Sequence, residues 1–164
     1  MKMYWRFFRF TILHKWYVFI ECCKLGIPWR GLKHDMGKFR PKMFKVYARR
    51  YYAGNAIDAL PDLDYLNCFS QHLRRSDHHW QYWVYVRNNG TMMCLPMSNN
   101  ARKELLADLR GSSLFYVTDV SVWYENHKQE FHMESETRKW LENQLGIINT
   151  HWESCENLTR NDYF

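Results

Sequence analysis

Apolar residues recur three or four apart in several stretches, and the four prolines, Pro28, Pro41, Pro61 and Pro96, fall between those stretches. In the first, Phe7, Phe10, His14, Tyr17, Val18 and Glu21 share one face of a helix expected to end near Gly26, which turns His14 inward. A short segment over 29–38 holds Gly31 and Gly37, and after Pro41 a basic, aromatic helix runs to Tyr52. From Pro61 to Arg75, Tyr65, Cys68, Phe69 and His72 form a second inward stripe. Ser76 or Asp77 is placed to cap a helix opening at His78 and carrying Trp80, Tyr82, Trp83 and Val84 to the Asn88-Asn89-Gly90 turn. Two short strands over 80–95 are the competing reading; the flanks lack clean alternation, so the helix is preferred. Ser98 or Asn99 caps a helix with Ala101, Leu105 and Asp108 that Gly111 should stop, and Ser135 precedes another through Trp140 and Leu145. The pattern predicts an all-α fold: one compact domain over 1–164, of about six to eight helices.

Composition supports a globular domain. The chain has 164 residues, 46% apolar and 24% charged, enough to bury a core and too balanced for a disordered or fibrous protein. Its five cysteines, Cys22, Cys23, Cys68, Cys94 and Cys155, are odd in number, include an adjacent pair and form no CxxC, so they read as free, buried thiols in a reducing cytoplasm. The opening MKMYWRFFRFTILHKWYVFIECC is interrupted by Arg6, Arg9, His14, Lys15 and Glu21 before it reaches signal or spanning length. A cytoplasmic location without a membrane span is expected, although a basic, aromatic helix of this kind also suits an anionic membrane surface.

Charge narrows the partners. Residues 1–50 hold thirteen Lys or Arg against only Glu21 and Asp35, a local excess of +11 within a net charge of +6. Such a field draws in anions, a phosphoester or nucleotide before a nucleic acid.

The chemistry resides in histidine. His14, His34-Asp35, His72, His78-His79 and Asp108 bring imidazoles and carboxylates from separate segments to inner faces. Buried without an ion, each ring would need partners for two nitrogens; coordination uses one and leaves the other for a neighbouring oxygen. Divalent metal ions are therefore expected as cofactors, with Mn, Fe, Mg, Co and Ni all compatible with such ligands.

The order H, HDxGK, H, HH, D, carried by HKWYV, RGLKHDMGKF, HLRRSDHHWQYW and ADLRG, resembles the HD-domain metal-dependent phosphohydrolase superfamily. It is most similar to the histidine-rich, two-metal branches that include the HD-GYP phosphodiesterases, and it also looks like a small family of bacterial and phage proteins. The motifs span residues 14–111. The glycine-tyrosine-proline segment is absent and Trp80 follows His79 where the phosphodiesterases carry an acid, which points away from a cyclic dinucleotide. The resemblance implies that His14, His34, Asp35 and Asp108 hold one ion, that Asp35 bridges to a second, and that the second takes His72 with His78, His79 or both. Asp77 is an outside candidate and a better cap.

The implied reaction is metal-dependent hydrolysis of a phosphomonoester or phosphodiester, with Asp35 and Lys38 as the catalytic residues and Lys38 set to contact a phosphate oxygen or Asp35. Arg30, Lys33, Arg74, Arg75 and Arg110 lie beside ligand segments and read as solvated; His127, His132 and His151 fall outside the pattern. Trp16, Tyr82 and Trp83 are candidates to stack on a base or to pack the core. Two other readings fit the same residues: a di-iron oxygenase of the HD type, and a non-catalytic nucleotide-binding or interaction protein that keeps the fold.

Overall fold

The computed structural model describes residues 2–53 and 62–147. Seven α-helices occur among them: α1 (Lys2–Lys24), α2 (Pro28–Lys33), α3 (Pro41–Tyr52), α4 (Leu63–Leu73), α5 (Asn99–Tyr116), α6 (Val120–His127) and α7 (Ser135–Leu145). A two-stranded antiparallel hairpin, β1 (Val84–Val86) and β2 (Met92–Cys94), pairs Val84 with Cys94 and Val86 with Met92. The fold is all-α. No helix among the described residues is long and apolar enough to cross a membrane.

Local chemistry sets the helix starts. Pro28 and Pro41 each occupy the first helical turn, where the missing N–H costs nothing. Asp62, Ser98, Asp119 and Glu134 cap α4, α5, α6 and α7 by accepting backbone N–H groups of the first turn.

α1 and α5 pack against each other at the centre. A Cβ on Gly111 would stand 2.7 Å from Val18 Cγ2 and 2.9 Å from the Val18 nitrogen, so glycine there is what lets the backbones meet. α2 closes on α1 in the same manner through Gly31, whose missing Cβ would lie 2.9 Å from Phe19 Cα. Apolar clusters flank this pair. Phe7, Met43, Tyr47 and Cys68 join α1, α3 and α4; Leu105, Leu106, Tyr124, Phe131 and Leu141 join α5, α6 and α7. The histidine-bearing face of α1 lies between them.

Several expectations need correction. Residues 80–83 form a single 3₁₀ turn and the chain then enters the hairpin, because Val84, Tyr85 and Val86 favour extended backbone and Gly90, at φ +85°, makes the reversal. Gly111 does not end α5, which runs on to Tyr116 and stops at Val117 in the left-handed region; the glycine serves packing instead. Asp77 caps nothing. Among the cysteines, Cys22 and Cys68 are buried free thiols, but Cys23 is exposed and Cys94 is disulfide-bonded. Cys155 and His151 lie outside the described residues.

Candidate metal centre

Elements far apart in sequence converge on one interior site. α1 supplies His14, the end of α2 supplies His34 and Asp35, α4 supplies His72, the following loop supplies His78 and His79, and α5 supplies Glu104 and Asp108. His34 and Asp35 are neighbours, yet both are buried. Asp35 achieves this at φ +56°, a left-handed conformation that aspartate tolerates at a cost on the order of 1 kcal/mol and that breaks the helix between α2 and the 3₁₀ turn over Met36–Phe39.

Asp35 is the hub. Its Oδ2 lies 3.8 Å from His14 Nε2 and 3.5 Å from His34 Nε2 and accepts from Lys38 Nζ at 2.5 Å, while its Oδ1 lies 3.2 Å from His72 Nε2. Asp108 Oδ1 is 3.1 Å from His14 Nε2 and 3.7 Å from His34 Nε2. His72 and His79 approach through their Nε2 atoms at 2.9 Å.

Glu104 was not anticipated, although it stands four residues before Asp108 and so on the same face of α5. Its Oε1 accepts from His34 Nδ1 at 3.0 Å and is 3.1 Å from His78 Nδ1; its Oε2 accepts from Arg30 Nε at 2.5 Å. Arg30 also pairs with Asp77, so the solvated role expected for Arg30 is replaced by a bridge between two carboxylates. An ionised carboxylate only accepts, so Nδ1 of both rings donates to Glu104 and Nε2 is the nitrogen left for the centre. That is the arrangement by which carboxylates orient metal-binding histidines.

Burial and neighbouring charge shift four groups of the centre. Burial acts to raise the Glu104 carboxyl, but hydrogen bonds from His34 and His78 outweigh it and hold it below the usual range. For Asp35 burial is likewise outweighed, by Lys38 and then by His34 and His72, and the carboxyl is held well below its ordinary value. Burial pushes His72 down to about 4 and His79 down to about 3, leaving both neutral near pH 7 and able to donate a lone pair.

Four overlapping sets of donor atoms each lie within 4.8 Å of one another: Asp35 with His72, His78 and His79; His14 with His34 and Asp35; His34 with His78 and Asp108; and Asp77, the outside candidate, with His78 and Glu104. These buried groups are able to hold metal ions. His14 Nδ1, His34 Nε2, Asp35 Oδ1 and His78 Nε2 are buried without any hydrogen-bond partner. Among the described residues, the four carboxylates Asp35, Asp77, Glu104 and Asp108 directly face only two cationic side chains, Lys38 and Arg30. Buried lone pairs and uncompensated negative charge are costly unless a cation takes them up, so the donor set fits the ions expected from sequence.

A cavity of about 180 Å³ opens onto Asp35 and His72 and is rimmed by the exposed cations Lys33, Arg40 and Arg75, with no aromatic residue in its lining. Trp16 faces outward, Trp83 packs into the core and donates to the Asp77 carbonyl, and Tyr82 lies away from the cavity. Arg74 does not line it either, and Arg110 donates to the Gln144 carbonyl. His127 stacks on Trp123 and His132 meets Trp80 edge-on, both outside the centre.

No curated protein and no solved structure matches the chain. The model of the family of unknown function DUF5662 matches residues 3–147, nearly everything described above, and the chain belongs to that family.

Proposed function

We propose that this protein is a metal-dependent phosphohydrolase that cleaves a phosphomonoester or phosphodiester of nucleotide-like class. The observation that carries the reading is the buried set of unpartnered atoms His34 Nε2, Asp35 Oδ1 and His78 Nε2, with both rings oriented by Glu104 through Nδ1. Two divalent ions, Mn, Fe, Mg, Co or Ni, would share Asp35, one with His14, His34 and Asp108 and the other with His72, His78 and His79. When bound, such ions supply a water of lowered pKa and polarise a phosphoryl oxygen. The order of motifs that resembles the HD superfamily supports the same reading.

The chain's own residues supply the rest. Lys33, Arg40 and Arg75 at the rim draw a phosphoryl group toward Asp35 and His72. Of the two contacts expected for Lys38, the structure has the one to Asp35, and Lys38 does not line the cavity, so its role in this reading is to hold the Asp35 carboxylate in place. A cavity of about 150 Å³ accommodates benzene, so one of about 180 Å³ takes the phosphoryl end of a ligand and leaves a base outside.

Elemental analysis of freshly purified protein beside His34→Ala and Asp108→Ala, followed by a phosphoester panel, tests the proposal. Expected are about two metal equivalents per chain, lost in both variants, and turnover by the wild type alone. Metal-loaded protein inert toward the panel would overturn hydrolysis. Bound iron with oxygen uptake would select the oxygenase.

A further inference from the structure

The outer face of α1 presents an apolar stripe that the centre does not use. At about 100° per residue, Trp5, Phe8, Ile12, Trp16 and Phe19 fall within an arc of about 80°, opposite His14 and Val18, along a helix about 34 Å long. Trp5 is 60% exposed and Trp16 57%. α2, seated on α1 at Phe19 through Gly31, adds Trp29 at 75% and Leu32 at 52%. Exposed Lys2 and Arg9 border the stripe on one side, and exposed Lys33 lies on α2.

The two acids within residues 1–50, Glu21 and Asp35, are both buried. Glu21 pairs with Lys24 at 2.6 Å, and among the described residues no carboxylate pairs with Lys2, Arg9 or Lys33, so the outer face of α1 and α2 is apolar and keeps unbalanced cations. An occupant must offer apolar contact and negative charge together. A second copy in a two-fold contact would set cations against cations. The face is the convex side of a helix, without a groove to receive a peptide, and tryptophan flanked by lysine and arginine suits the headgroup level of a bilayer.

We propose that α1 and α2 dock this protein on an anionic membrane surface, α1 lying in the interfacial plane with Trp5, Ile12 and Trp16 inserted, and no segment crossing. The proposal is independent of the reaction at the buried centre.

Flotation with vesicles of pure phosphatidylcholine and with vesicles carrying about 30% phosphatidylglycerol tests it, with tryptophan emission as a second readout. Wild-type protein is expected to float with the anionic vesicles with a blue shift and to bind the neutral ones about tenfold less. Ile12→Glu/Trp16→Glu and Lys2→Glu/Arg9→Glu are each expected to weaken binding about tenfold or more, the wild type being released by added salt. Unchanged circular dichroism and metal content in the variants would show that the fold is intact. The proposal is overturned if wild type ignores anionic vesicles, if both vesicles bind equally, if the variants bind as wild type, or if the wild type instead forms a dimer that Ile12→Glu/Trp16→Glu dissociates.

Discussion

Glu104 Oε1 accepts a hydrogen bond from His34 Nδ1 at 3.0 Å across 70 residues of sequence, and the bond determines which nitrogen of that ring faces the centre. Glu104→Gln keeps the shape and removes the charge. Metal affinity, measured by chelator competition, is expected to fall about tenfold to a hundredfold with little change in the thermal transition. Glu104→Ala, which strands two imidazoles and one contact of Arg30, is expected to cost about 3 kcal/mol in urea denaturation.

Asp35→Asn separates charge from backbone. Asparagine also tolerates the left-handed region, so the variant is expected to unfold within about 1 kcal/mol of wild type while retaining no metal. Loss of both fold and metal would mean that the carboxylate mainly holds the apo structure together through Lys38.

Metal removal has a thermal signature. An ion present at about a thousandfold over its Kd stabilises a protein by about 4 kcal/mol, which in a chain of this size raises the transition by on the order of 10 °C. Scanning calorimetry with and without a chelator is expected to show that difference in wild type and none in His34→Ala.

The close approach of α1 to α5 predicts a steric penalty. Gly111→Ala gains up to about 1 kcal/mol of helix propensity, but its Cβ meets Val18 backbone, which cannot rotate away. A net loss of about 1 to 3 kcal/mol is expected. Gly31→Ala should behave alike against Phe19 and Cys22, whereas Gly37→Ala, whose nearest contact is 4.0 Å, should be close to neutral.

Adjacent cysteines should differ in reactivity. Cys23 is exposed and Cys22 buried, and burial, aided by Glu104, pushes the Cys22 thiol up to about 12 from 9.0. Maleimide at neutral pH is expected to label Cys23 in the folded protein and Cys22 only after unfolding. The unfolded chain releases the Cys22 proton above pH 9 while the folded chain keeps it to about 12, so this contribution to stability is complete below pH 9 and lost as pH rises toward 12. Cys22→Ala should flatten the alkaline limb of a melting curve taken against pH.

What the sequence revealed and concealed divides along physical lines. The inward faces of α1 and α4 were legible because His14 and His72 sit at helical spacing within apolar stripes, and Pro28 and Pro41 marked starts that the backbone uses. Glu104 was hidden because a carboxylate among surface-like neighbours on α5 announces nothing until His34 and His78 arrive from elsewhere. Asp77 was misread for the same reason: its partner, Arg30, is 47 residues away. The hairpin was missed because strands of three residues offer too little alternation to outweigh the aromatic run at Trp80–Trp83. Gly111 reads as a stop in one dimension and as a point of contact in three.

That contact also orders events during synthesis. α1 is made before α5, and the surface it needs there follows about ninety residues later, so Val18 and His14 wait without that cover until α5 has been made. The donors that could hold an ion likewise come together only once Glu104 and Asp108 on α5 have joined those of α1, α2 and α4.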